Sequence, residues 1–258
     1  MTFLHTILPL IQRPLSRSHC LPTNLSGLLA SCCLLCGENS GSAPICPACA
    51  ADLPHFSAHH ACPCCGEVST LGSTCGRCLR RPPAFSRTQA LWRYAFPADR
   101  LIQALKYRHC LPLGTWFGEI LATTVDAKDI DSIVPLPLHP QRLAERGFNQ
   151  SVLIAEALGN CLNLPVDRDS LQRSRPTPPQ AGQPYRRRQA NVRDAFESCG
   201  KLSGQRLLLV DDVMTTGATL REAARILRLH GATEVRLAVV ARALRDDRKM
   251  LQDRTSVL

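Results

Sequence analysis

Eleven of the fourteen cysteines in this 258-residue chain fall at or before Cys78, and their spacing constrains the fold more than any other feature. Cys33-x2-Cys36 is followed, after nine intervening residues, by Cys46-x2-Cys49; Cys62-x2-Cys65 is followed, again after nine, by Cys75-x2-Cys78. The two units share one layout and are offset by 29 residues, so they form an internal repeat. Two residues between cysteines let one tight turn aim two sulfurs at one ion, and Gly37 and Gly66 suit the close backbone approach of such a knuckle. Eight thiolates imply two zinc ions. All-cysteine sites are closed, so the zinc is expected to be structural and to supply folding energy to a segment too small and polar to build its own core. The spacing leaves open whether each repeat keeps its own ion or the pairs are crossed. Cys32 and Cys64 blur the register by one residue, and His59 and His60 are read as loop histidines rather than ligands.

The start, Met1 to Leu10, carries no basic residue ahead of its apolar stretch, so no signal peptide is read and a disulfide framework is not expected. No apolar run reaches the ~18 residues of a membrane-spanning helix. The expectation is a cytoplasmic protein with 45% hydrophobic and 20% charged residues, globular rather than disordered. The net charge of +10 points to anionic partners. Only four of the bases are lysines (Lys106, Lys128, Lys201, Lys249); the rest are arginines, whose forked donors match phosphate oxygens in pairs.

Beyond Arg81-Pro82-Pro83 the pattern alternates between short apolar runs and helical periods. Strands are expected at 88–94, 131–138, 206–210 and 234–241. Helices are expected at 99–107, 113–125, 149–158 (stopped by Gly159) and 219–230. Residues 168–195, rich in Arg, Pro and Gln, read as a long loop or arm. This alternation predicts an α/β domain with a mostly parallel sheet covered on both faces. The expected organisation is a leader at 1–30, a double zinc ribbon at 31–80, the α/β domain at 86–243 and a charged tail at 244–258.

The sharpest string is Leu207 to Leu220, LLLVDDVMTTGATL. A buried strand delivers two carboxylates, Asp211 and Asp212. The loop Thr215, Thr216, Gly217, Ala218 follows, and Thr219 opens a helix. A loop entering a helix N-terminus offers backbone N–H groups and a positive dipole end to a phosphate. The threonines add hydroxyls, and Gly217 lets the backbone wrap an anion. Carboxylates beside a phosphate cradle are useful only against hydroxyls or a divalent cation. The local chemistry is therefore that of a sugar phosphate.

This string resembles the phosphoribosyl-pyrophosphate signature of type I phosphoribosyltransferases. Upstream, IVPLPLHPQRLAERGFNQS (Ile133 to Ser151), LIQALKYR around Lys106, and the segment from Arg173 to Phe196 are similar to the ComF/GntX family, as is the double zinc ribbon. The resemblance spans about residues 30–243. It implies a type I phosphoribosyltransferase-like sheet behind the ribbon and a link to DNA uptake and the use of imported DNA in competent bacteria.

By that resemblance, Asp211 and Asp212 would hold the ribose hydroxyls, with Mg²⁺ between them and pyrophosphate. Thr215 to Thr219 would hold the 5-phosphate. Arg142 and Arg146 follow the first core strand, where pyrophosphate is gripped, and Lys106 belongs to the substrate-binding set. Gln180, Arg187 and Arg188 sit where a mobile catalytic arm would lie. Three readings fit: a phosphoribosyltransferase releasing pyrophosphate, a non-catalytic phosphoribosyl or nucleotide sensor, and an adaptor that handles single-stranded DNA or docks on DNA-uptake proteins. Residues 142–193 carry nine arginines against four acids, which favours DNA backbones. Aromatics for base stacking are few nearby: Phe148, Tyr185 and Phe196.

Overall fold

The computed structural model describes residues 31–175, 194–200 and 202–244. Gln180, Arg187 and Arg188, the leader and nearly all of the tail lie outside the described residues.

The cysteine-rich segment begins with β1 (Ser31–Cys32) paired antiparallel to β2 (Asn39–Gly41), then α1 (Pro47–Ala51) and α2 (Gly76–Arg80). The α/β part follows as β3 (Arg87–Arg93), α3 (Ala98–Arg108), α4 (Pro112–Ala122), β4 (Ser132–Pro135), α5 (Pro140–Arg146) and α6 (Gln150–Leu162). It closes with β5 (Leu171–Arg173), β6 (Phe196–Ser198), β7 (Arg206–Met214), α7 (Ala218–Leu229) and β8 (Glu234–Arg242). The main sheet has the order β3-β8-β7-β4 and every pairing in it is parallel.

Alternation along the strands splits the apolar residues into two cores. In β7, Leu208 and Val210 face one core while Leu207 and Leu209 face the other. The first core takes Leu101, Ile102 and Leu105 of α3, Phe117 and Leu121 of α4, and Ile154 and Leu158 of α6. The second takes Leu220, Ala223, Ala224 and Leu227 of α7, with Leu171 and Phe196 of the β5–β6 ladder. Helices on both faces bury a parallel sheet completely, which is why its strands are almost continuously apolar. In the first core Trp92 stacks on Trp116 at 5.6 Å and meets Phe117 edge-on at 5.7 Å. Such aromatic pairs add ~0.5–1.5 kcal/mol each beyond their buried area.

The cysteine-rich segment has no core of its own and joins both of these. Cys33, Ile45, Cys46 and Leu53 pack into the first, and Cys62, Cys65 and Cys78 into the second. Between them the chain crosses the outer edge of β3. The Arg93 N–H donates to the Pro54 carbonyl at 2.7 Å, and the Phe56 N–H to the Leu91 carbonyl at 2.9 Å. An edge strand is thereby covered, and the two cysteine units are set on opposite faces of one sheet.

Four sequence expectations change, the first being that segment 168–195, expected as a loop or arm, contains strand β5 at Leu171–Arg173, which pairs with β6. The helix expected to stop at Gly159 continues to Leu162 and ends at left-handed Asn163. Gly159 is there for packing: a Cβ would lie 2.7 Å from Val166 Cγ2 and 2.8 Å from the Leu164 carbonyl. The strand expected to end at Val210 runs to Met214, so both aspartates are strand residues. Helix α5 forms within a stretch too proline-rich and too short to show a helical period, with Pro140 in its first turn and left-handed Gly147 at its end.

Candidate functional site

The two carboxylates reach the C-terminal edge of the sheet because β7 carries them there, and both are buried, Asp211 at 8% and Asp212 at 3% exposure. Each has a partner from another element. Lys106 Nζ, on the last turn of α3, lies 2.5 Å from Asp212 Oδ2. Asp212 Oδ1 accepts from the Val213 N–H at 2.9 Å. Asp211 Oδ1 accepts from the Ser151 hydroxyl at 3.0 Å and from the Asp212 N–H at 2.9 Å.

Ser151 is placed by the start of α6. The Asn149 side chain caps that helix by accepting from the Ser151 N–H, and its amide donates to the Leu136 carbonyl at the end of β4. Nothing singled Ser151 out in the sequence except its place at the end of the family-like string.

Electrostatics follow from this packing. Burial, together with the neighbouring Asp212 carboxylate, pushes Asp211 up to about 8 despite Lys106. Its Oδ1 accepts two hydrogen bonds, which lower its proton affinity without cancelling the effect of burial. Burial alone would lower the Lys106 ammonium, but the ion pair with Asp212 outweighs it and the net shift is upward.

Arg146 of α5 is lowered by burial and by Arg142; its guanidinium lies 5.6 Å over the Tyr107 ring and donates to Gln150 Oε1 at 2.6 Å. Arg173 on β5 is lowered by burial and by the same Arg142, and feels the Asp211 charge. Arg142 thus acts on both Arg146 and Arg173, and these two also feel the charges of Asp212 and Asp211 respectively. Arg173 was legible in the sequence only as one base in a basic stretch.

Beyond the aspartates the chain turns through Thr215 and Thr216 into α7. Gly217 adopts φ +74°, the left-handed region, directly before the helix. The Thr216 hydroxyl accepts from the Ala218 N–H at 3.3 Å, which ties the loop to the first residue of the helix. A second side chain organises the loop from below. Arg242, fully buried at the end of β8, donates to the carbonyls of Met214 at 3.0 Å and of Thr215, and to the Cys65 carbonyl at 2.9 Å. It was invisible in the sequence, where a lone arginine ending an apolar run reads as a solvated strand end.

The cysteines resolve into two groups, Cys33, Cys36, Cys46, Cys49 and Cys62, Cys65, Cys75, Cys78, with all ligand atoms in each within 4.8 Å of one another. The repeats are thus sequential, not crossed. Cys36 Sγ and Cys46 Sγ are 3.7 Å apart, as are Cys65 Sγ and Cys75 Sγ. Sulfurs ~2.3 Å from a tetrahedral zinc lie ~3.8 Å from one another, so both groups fit that ion. His59 and His60 form a short turn outside both groups. No helix among the described residues is long and apolar enough to cross a membrane.

A parallel sheet whose second strand in spatial order, counted from β4, carries paired aspartates near its C-terminal end and feeds a threonine-glycine loop into a helix defines a phosphoribosyltransferase-type domain. The phosphoribosyl transferase domain family matches residues 149–257. The DNA utilization protein YhgH of Escherichia coli K12 is 34% identical over 191 residues, covering 71% of this chain and 84% of that protein. Competence protein F of Haemophilus influenzae is 29% identical over 82% of this chain and 90% of its own. Competence protein ComFC of Bacillus subtilis is 26% identical over 71% and 77%. Among solved structures, the glutamine phosphoribosylpyrophosphate amidotransferase of B. subtilis, complexed with ADP and GMP, shares 25% identity over 49% of this chain and 25% of its own, with a TM-score of 0.36. This chain belongs to the ComF family.

Proposed function

We propose that this protein binds phosphoribosyl pyrophosphate with Mg²⁺ at the end of β7 and acts in the use of imported DNA. One juxtaposition carries the reading. Buried Asp211 and Asp212 lie near the C-terminal end of β7, a loop closed by left-handed Gly217 follows Met214, and Arg146 and Arg173 feel the charges of Asp212 and Asp211. The 5-phosphate would rest on Thr215 to Thr219, where backbone N–H groups and the dipole of α7 favour an anion. The ribose hydroxyls would donate to Asp211 and Asp212, and the arginines would face pyrophosphate. Mg²⁺ would neutralise charge on the pyrophosphate. The cellular role is supported by the names of the relatives, which concern DNA utilization and competence.

Transfer would displace pyrophosphate at the anomeric carbon through an oxocarbenium-like transition state, with the arginines stabilising negative charge as it builds on the leaving group. A sensor would keep the binding and lose the transfer.

Calorimetric titration of phosphoribosyl pyrophosphate with Mg²⁺ into wild type and Asp211→Asn/Asp212→Asn tests the site. Binding by wild type that the double variant loses supports it; no binding by folded, zinc-loaded wild type sinks it. Pyrophosphate release across a panel of bases separates transferase from sensor. A labelled oligonucleotide, bound at low salt and released at moderate salt, tests direct DNA contact.

A further inference from the structure

Arg242 stands at the meeting point of three strand ends and of the second cysteine group. It is opposite Met214 in the β7–β8 pairing and opposite Arg93 in the β3–β8 pairing. Its side chain is 0% exposed. Burying a guanidinium without partners is costly, so its donors are best accounted for one by one. Nε donates to the Cys65 carbonyl at 2.9 Å. The two Nη1 hydrogens are shared among the carbonyls of Met214 at 3.0 Å, Thr215, and Ala243 at 2.5 Å. Nη2 faces Glu67 Oε2 at 3.4 Å. One planar fork therefore grips the backbone of two segments 150 residues apart: the knuckle turn Cys65–Glu67 and the first residues of the Thr215–Thr219 loop.

The grip has a directional consequence. In a trans peptide the carbonyl and the following N–H point in opposite directions. Holding the Met214 and Thr215 carbonyls toward Arg242 turns the N–H groups of Thr215 and Thr216 the other way, to the side opposite the guanidinium. The position of the guanidinium depends in turn on the knuckle. Gly66 sits at φ +64°, where a Cβ would lie 3.3 Å from Arg242 Nε, so the arginine packs flush against the turn that links Cys65 to Glu67. That turn is held in shape by whatever holds Cys62, Cys65, Cys75 and Cys78 together. The first cysteine group joins the core on the other face of the sheet and has no such connection to the loop among the hydrogen bonds described.

We propose that Arg242 is a positioning residue that makes the geometry of the Thr215–Thr219 loop depend on metal in the second cysteine group and not in the first. The inference rests on the phosphoribosyl-binding reading of that loop for its functional consequence, but the coupling itself is readable without ligand. Zinc bound by the second group is then part of the architecture of the anion cradle, and its loss loosens the cradle while the first group stays loaded.

The test pairs amide hydrogen exchange with metal content and ligand titration on the full chain. Arg242→Lys keeps the charge but cannot span carbonyls on both segments. It is expected to retain two zinc ions per chain, to speed exchange of the 215–219 amides by about tenfold, and to weaken phosphoribosyl pyrophosphate–Mg²⁺ binding by a similar factor, with exchange in α3 and α4 unchanged. Should Arg242→Lys not fold, Glu67→Gln, which removes the charge holding one end of the fork, is expected to shift the same amides in the same direction by a smaller factor. Cys75→Ser, which takes one ligand from the second group, is expected to reproduce the loop effect; Cys36→Ser, which takes one ligand from the first group, is not. Unchanged loop exchange in Arg242→Lys, or equal effects of Cys75→Ser and Cys36→Ser on the loop, overturns the coupling. A wild type that binds no phosphoribosyl pyrophosphate while Arg242→Lys still loosens the loop leaves the coupling standing and removes only the ligand assignment.

Discussion

Lys106 and Asp212 form an ion pair at 2.5 Å between the last turn of α3 and the end of β7, 106 residues apart in the chain. The lysine brings one positive charge to two buried carboxylates. Its companion Asp211 answers with a raised affinity for protons rather than with a second cation.

Replacing Lys106 by Met should leave Asp212 buried and uncompensated. Breaking a buried pair from one side costs ~3–5 kcal/mol, most of it the stranded charge. Urea denaturation of Lys106→Met is expected to show a loss of that order, and Lys106→Met/Asp212→Leu should recover much of it. A single variant as stable as wild type would mean that water reaches Asp212 and the pair is not effectively buried.

Asp211 gives the fold a defined pH dependence. Its folded value, about 8, lies above the ordinary 3.8, so between those limits the folded chain holds a proton that the unfolded chain has lost. Stability from this group is complete below pH 4, declines as pH rises through the window, and levels off above 8. Thermal midpoints of Asp211→Asn should therefore fall less than those of wild type between pH 5 and 8. If the two profiles run parallel, Asp211 is ionised throughout.

Gly217 is the single residue of the loop that needs the left-handed region. A β-carbon there would also approach Met214 Cε to 2.5 Å. Gly217→Ala is expected to cost ~1–3 kcal/mol through backbone strain. It should also weaken phosphoribosyl pyrophosphate binding more than it weakens the fold, because the strain falls on the loop. Calorimetry and denaturation on one preparation compare the two losses directly.

Metal analysis should find two zinc ions per chain, and each should report on a different face of the sheet. Trp92 and Trp116, the only tryptophans in the sequence, both pack in the core that Cys33 and Cys46 join. Cys36→Ser should therefore shift tryptophan emission clearly, whereas Cys75→Ser should shift it little. Equal shifts would show that the two faces respond as one unit.

What the sequence determined by itself is what short-range pattern can encode. The repeated Cys-x2-Cys spacing specified the eight ligands and their knuckles, because each knuckle is a local turn, while their grouping by repeat came from the structure. The apolar run ending in Asp211-Asp212 and the Thr-Thr-Gly that follows specified a strand, a loop and a helix, because period and turn chemistry act over a few residues. Periodicity could not reach further. It missed α5, whose adjacent apolar residues Leu143 and Ala144 mark no buried face, and it read Gly159 as a stop when that glycine instead admits Val166. The crossing of the ribbon over the edge of β3, the approach of Ser151 to Asp211, and the grip of Arg242 on Cys65, 177 residues away, were decided only by the tertiary structure. Each joins groups far apart in the chain, whose meeting depends on how the sheet stacks its helices, and no local pattern of residues records that.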